Sequence, residues 1–141
     1  MTIKKSLFIA AFMRLATTMA NAAKKTIYKP WSNGKLKVSA NQRYLIHENG
    51  TPFFWLGNTA WLLPERLNRD EAEYFLAKER ELGYNVEQIQ VLNAIPTFNV
   101  YGQQANNKEF DFSKVSKPGV YGYWEHLDYI IDRAADNGIY I

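Results

Sequence analysis

The sequence predicts an α/β fold: the N-terminal portion of a (β/α)8 TIM-type barrel, preceded by a β-hairpin and stopping within the third barrel strand. Three observations lead there. Strand-like and helix-like stretches alternate as strand, helix, strand, helix, strand from Phe53 to Ile141, the order that produces parallel strands joined by right-handed crossovers. An Asn49-Gly50 pair stands between two apolar runs just before that alternation, which is the strongest short-range hairpin signal. The turn after the first strand, Gly57-Asn58-Thr59, holds a single glycine. A dinucleotide-binding sheet would carry its phosphate-cradling glycines there, so the barrel is the better reading. Such a barrel takes about 250 residues; a chain of 141 supplies a minority of its eight units.

The first 22 residues read as a leader. Lys4 and Lys5 precede the apolar run Leu7 to Met13, and Ala20-Asn21-Ala22 supplies an A-x-A cleavage site. That is a secretory signal peptide, with a mature start at Ala23. The apolar run is far short of the ~20 residues of a membrane span, and a chain without cysteine offers no lipid-anchor site. The expected location is secreted or periplasmic, with no membrane attachment after cleavage. Residues 23–35 form a polar lead-in, and 36–141 the incomplete barrel domain.

Leu36-Lys37-Val38 alternates as a half-buried strand. Arg43 to His47 and Pro52 to Leu56 form the hairpin arms, and Phe53 to Leu56, apolar throughout, suits a strand covered on both faces. A helix follows. Asn68 is its N-cap with Glu71 at the third helical position, Leu67 and Ala72 form the staple, and Gly83 ends it. Its buried stripe is Ala72, Phe75, Leu76 and Leu82. Tyr84 to Leu92 is the next strand. A long connection leads to a second helix, Tyr121 to Asn137, whose stripe is Trp124, Leu127, Ile130, Ile131, Ala134 and Ala135. Gly138 caps it and Ile139-Tyr140-Ile141 begins a further strand. A domain that stops in mid-strand leaves backbone groups unpaired, which reads as the start of a larger domain.

Charge excludes a nucleic-acid partner. Three of the 17 Lys and Arg residues (Lys4, Lys5, Arg14) lie in the leader, leaving 14 basic against 14 acidic residues. The absence of cysteine removes disulfides, thiolate metal sites and cysteine nucleophiles. His47 and His126 lack the spaced partners of a zinc site, so neither metal nor cofactor is expected.

Several segments resemble one family. Phe53-Phe-Trp-Leu-Gly-Asn-Thr-Ala-Trp61, Gly83-Tyr-Asn-Val86, Asn99-Val-Tyr-Gly102 and Tyr129 to Ala135 with Gly138 to Ile141 are similar to the apiosidase-like glycoside hydrolases. The resemblance implies a secreted bacterial barrel enzyme acting on plant-type polysaccharide or oligosaccharide. Glycoside hydrolysis uses two carboxyl groups flanking the scissile bond, and the resemblance places them on later strands, around the fourth and seventh. No catalytic residue is therefore assigned here, and the chain alone is expected to be inactive. Two positions depart from the family pattern: Asn58 stands where many members carry Asp, and Glu87 where the family is usually apolar.

Substrate-binding candidates follow from barrel geometry, in which sites form at the C-terminal ends of strands. Asn58 and Trp61 follow the first barrel strand; an indole stacks on sugar rings and an amide bonds hydroxyls. Gln88 and Gln90 alternate with Ile89 and Val91. With the apolar set toward the helices, both glutamines point inward; Gln90, nearer the strand end, is the site candidate, and Gln88 is expected to be buried and internally bonded. Asn93, Asn99 and Tyr101 lie on the loop that follows, Asn99 and Tyr101 through the family string. The alternative readings are a non-catalytic carbohydrate-binding or scaffold protein on the same barrel start, and a different barrel hydrolase such as an esterase or peptidase.

Overall fold

The computed structural model describes residues 29–106, 119 and 121–141. The signal peptide read at 1–22, the first part of the lead-in and the connection at 107–118 lie outside them. The described chain is a mixed α/β structure made of a small antiparallel sheet and a parallel strand–helix unit.

A 3-10 turn at Pro30–Asn33 leads into the antiparallel sheet. Its strands are β1 (Leu36–Val38), β2 (Leu45–His47) and β3 (Pro52–Phe53), in the order β1-β2-β3. The hairpin read from Asn49-Gly50 joins β2 to β3, with Leu45 opposite Phe53 and Ile46 opposite Pro52. Gly50 takes φ +88° and donates to the His47 carbonyl at 2.9 Å. Asn49 Oδ1 accepts from Thr51 N at 3.0 Å, so both residue types are used as turn chemistry requires.

The parallel unit comprises β4 (Gly57–Thr59), the short helix α1 (Leu63–Arg66), α2 (Arg69–Leu82), β5 (Val86–Gln88) and α3 (Tyr123–Asp136). Strands β4 and β5 pair in parallel with Gly57 opposite Val86, Asn58 opposite Glu87 and Thr59 opposite Gln88. A parallel bridge from Val86 to Tyr140 adds the chain's last residues beside β5.

The α2 termini match the sequence reading. The Asn68 side chain accepts from Glu71 N at 3.0 Å while the Glu71 carboxylate accepts from Asn68 N at 2.9 Å, a complete capping box. Gly83 closes the helix at φ +95° in the left-handed region, where a side chain would be strained.

Three readings change. The strand expected over Phe53 to Leu56 is displaced: pairing begins at Gly57, and Phe54 and Trp55 are 76% and 58% exposed. Asn85 explains the shift. Its Nδ2 donates to Phe54 O at 2.7 Å and its Oδ1 accepts from Leu56 N at 2.9 Å, so a side chain takes the place of ladder bonds. The strand expected over Tyr84 to Leu92 is three residues long, because Gln90 N turns to the Trp61 carbonyl at 2.8 Å. Leu82 and Ile131, assigned to buried stripes, are exposed at the edges of their helices, while Tyr123 and His126 are fully buried.

One face of the parallel strands packs on the helices. Ala60 and Ile89 meet Leu63, Ala72 and Ile130, and Ile139 meets Leu76 and Ala134. Burying a side chain such as Leu76 is worth about 1.5–3 kcal/mol. The opposite face carries Gly57, Val86 and Tyr140. Tyr140 stacks edge-on against Phe53 at 5.6 Å and donates its hydroxyl to Pro30 O at 2.8 Å, tying the antiparallel sheet to the N-terminal end of the parallel strands.

Candidate functional site

The C-terminal ends of β4 and β5 place the chemistry. Past Thr59 and Gln88 the two chains stay joined: Ala60 N donates to Gln88 O at 3.0 Å and Gln90 N to Trp61 O at 2.8 Å. These bonds set Trp61 beside Gln90 regardless of side-chain rotamer. The side chain alternation does the rest. Ile89 turns into the helix-facing core, while Gln90 and also Gln88, which was expected to be buried, are exposed on the other face. Trp61, 60% exposed, lines with Gln88, Ile89 and Gln90 an open recess of about 310 Å³. An indole face with two neutral amides offers apolar stacking area and both donors and acceptors, a combination suited to a polyhydroxylated ligand.

Asn58 does not join them. It sits within β4, on the helix-facing side, where Nδ2 donates to Glu79 Oε2 at 3.0 Å and Oδ1 accepts from Thr59 N at 2.8 Å. Asn93 is exposed on the connection after β5. Asn99 is 4% exposed and has its amide fully engaged: Nδ2 donates to Tyr121 O, and Oδ1 accepts from the backbone N–H of Tyr101 and Gln103, each at 3.0 Å. Tyr101 receives Arg69 N on its hydroxyl at 2.9 Å and packs its ring on Tyr121 and His126. Asn99 and Tyr101 thus fasten the connection to the starts of α2 and α3.

The same connection is anchored elsewhere by Thr97 Oγ1, which donates to Glu65 Oε1 at 2.9 Å, and by the Tyr123 hydroxyl, which donates to Val91 O. Tyr123 is fully buried, and burial pushes its phenol up. His126 is also fully buried, its Nε2 3.0 Å from Leu67 O; burial pulls its pKa down, and Arg69 adds to that. It is a neutral ring holding two helices together. Among the described residues no group of three or more His, Cys, Asp or Glu side chains is placed to hold a metal ion.

Sequence reasoning named Glu87 only as a departure from the family pattern and gave it no role. It is wholly buried between β5 and α2, both carboxyl oxygens lack a hydrogen-bond partner, and its pKa is pushed up to about 7. Burial is the main cause, with the Glu79 carboxylate second and the Ala60 backbone opposing. The signal was a glutamate in the helix-facing parity of an otherwise apolar strand face.

Comparison with known proteins decides the relationship. A family model described as "Apiosidase-like, catalytic domain" matches residues 39–141. The chain belongs to the apiosidase-like glycoside hydrolases. Two solved structures agree with it. One named "Glycoside hydrolase" is 61% identical with a TM-score of 0.76, covering 81% of this chain and 26% of its own. A glycoside hydrolase family 5 structure from Bacteroides vulgatus is 57% identical with a TM-score of 0.77, covering 82% of this chain and 25% of its own. The chain therefore spans about a quarter of the length of these two neighbours. No match is found among curated proteins. Among the described residues no helix is long and apolar enough to cross a membrane.

Proposed function

We propose that this chain supplies the first strands and helices of the (β/α)8 barrel of a secreted or periplasmic glycoside hydrolase acting on plant-type polysaccharide or oligosaccharide. The observation that carries this reading is the recess of Trp61, Gln88 and Gln90 at the C-terminal ends of two parallel strands, the end at which barrel enzymes bind substrate. The indole is the stacking platform for a sugar ring, and the glutamine amides take its hydroxyls. Asn93 extends this rim, and Asn99 and Tyr101 hold the connection that shapes it. Asn58 acts from beneath, through Glu79.

The two carboxyl groups of the reaction come from elsewhere in the protein. Glu87 does not supply one. Its side chain shares the helix-facing layer with Asn58 and Glu79, on the far side of the strands from the recess.

The test is Trp61→Ala and Gln90→Ala in the protein that carries this segment, with stability and kinetics measured separately. Each should weaken substrate binding, raising KM at least several-fold, while Gln90→Ala leaves the melting temperature nearly unchanged. Unaltered kinetic constants per folded molecule in both variants would sink the site assignment. Retained saccharide binding without hydrolysis in the unmodified protein would instead favour a carbohydrate-binding protein.

A further inference from the structure

The layer between β4, β5 and α2 holds three polar side chains where the neighbouring positions are apolar. Asn58 and Glu87 face each other in register across the strands, and Glu79 descends on them from α2. Glu87 is 0% exposed and Glu79 6%. Neither Glu87 oxygen has a hydrogen-bond partner, whereas Glu79 Oε2 accepts from Asn58 Nδ2 at 3.0 Å.

We propose that Glu87 sits as the neutral acid in the α2–β5 contact and gives its O–H to the Glu79 carboxylate, which Asn58 fixes, so that the packing of α2 on the strands is an acid-held latch. The proton resides on Glu87 and its O–H is directed to Glu79; above neutral pH it leaves to water and two carboxylates face each other.

Three points support this. Burying an ionised carboxylate without a charged partner costs several kcal/mol, so burial favours Glu87 as the acid. A buried acid O–H needs an acceptor, and the Glu79 carboxylate is a stronger one than Asn58 Oδ1, a neutral amide oxygen that already accepts from Thr59 N. Among the described residues Glu79 is the one charged side chain acting on Glu87, and the half-buried Arg80 is the cation next to Glu79 along α2. β4 brings Asn58 and the neutral Ala60 backbone. On α2, Lys78 pairs with Glu81. On α3, His126 is held by Leu67 O, Arg133 pairs with Asp136, and Asp128 and Asp132 are exposed. Tyr140 turns to the other face, onto Pro30.

The sign follows from linkage. An unfolded glutamate releases its proton near pH 4.5, whereas Glu87 retains it to about pH 7. The folded unit is therefore most stable below the ordinary carboxylate range, loses stability as pH rises through that window, and is level above it.

Side-chain carboxyl 13C NMR of the full chain between pH 3 and 9 tests the proposal, with Glu79→Gln, Glu87→Gln and Asn58→Asp. The Glu87 carbon should titrate near neutrality and move down toward the ordinary glutamate range in Glu79→Gln. Asn58→Asp, which removes the donor and adds a third carboxyl, should raise it further. Amide protection in the β4–β5 ladder, corrected for intrinsic exchange, should fall by up to about a hundredfold across the window, and Glu87→Gln should flatten that fall. A Glu87 midpoint in the ordinary range overturns the proposal, as an unfolded chain would also give. So does a raised midpoint that Glu79→Gln leaves in place, since burial alone would then account for it.

Discussion

Asn99→Ala tests what holds the connection after β5. The amide makes three hydrogen bonds of 3.0 Å, to Tyr121 O and from the Tyr101 and Gln103 amides, at a residue 4% exposed. A net hydrogen bond is worth roughly 0.5–1.5 kcal/mol, and stranding a buried partner costs more. Alanine removes all three at once and leaves two backbone donors and one carbonyl without replacements. Water reaches part of the segment, since Gln103 is exposed, so the sum is not fully realised. The expected loss is about 2–4 kcal/mol. Urea unfolding of the protein reads the global part. Amide exchange at Tyr101 and Gln103 reads the local part, and both sites should lose protection before the β4–β5 ladder does. A loss below about 0.5 kcal/mol with protection intact would refute the reasoning, and would return Asn99 to the role of a free substrate contact.

Leu76→Ala should cost about 2–5 kcal/mol by equilibrium unfolding, because Leu76 is fully buried against Ala134, Ile139 and Phe75; a cost under 1 kcal/mol would mean that α2 does not pack as described. His126 is held neutral by burial, its pKa lowered from 6.5. Unfolded chains take up a proton near that value while the folded one does not, so its contribution is complete above pH 6.5 and is lost as pH falls. The melting temperature should drop on acidification through that region, and His126→Gln should reduce the drop; an unchanged slope contradicts it. This loss as pH falls opposes the loss from Glu87 as pH rises from the ordinary carboxylate range to about 7, and the two substitutions separate them.

Much of the architecture was legible because its signals are local. The capping box of Asn68 and Glu71, the left-handed Gly83 and the Asn49-Gly50 turn each depend on a few adjacent residues and appear as read. The parity of Gln88, Ile89 and Gln90 was equally readable, since alternation along a strand needs no knowledge of partners. What failed depends on distant groups. Asn85 satisfies the backbone at Phe54 and Leu56 with its side chain, which no apolar run reveals, and so the first parallel strand begins at Gly57 instead of Phe53. That shift puts Asn58 inside the strand and turns its amide toward Glu79. Asn99 and Tyr101 carried a family string, yet the string does not say that their polar atoms are spent on Tyr121, Gln103 and Arg69. Tyr123 and His126 were missed as buried residues because polar atoms at helix starts usually face water; here Val91 O and Leu67 O receive them.

The most direct test of the account is the release of reducing sugar from plant-type polysaccharides, measured side by side for the 141-residue chain and for the protein whose length matches its solved neighbours. The account places the stacking surface of Trp61 and its glutamines in this segment and the two reacting carboxyls outside it. It predicts release by the longer protein, abolished or strongly weakened by Trp61→Ala, and none by the chain alone. Release by the chain alone would contradict it, because a carboxyl pair would then have to lie within these residues; so would a longer protein that neither binds nor cleaves any saccharide offered.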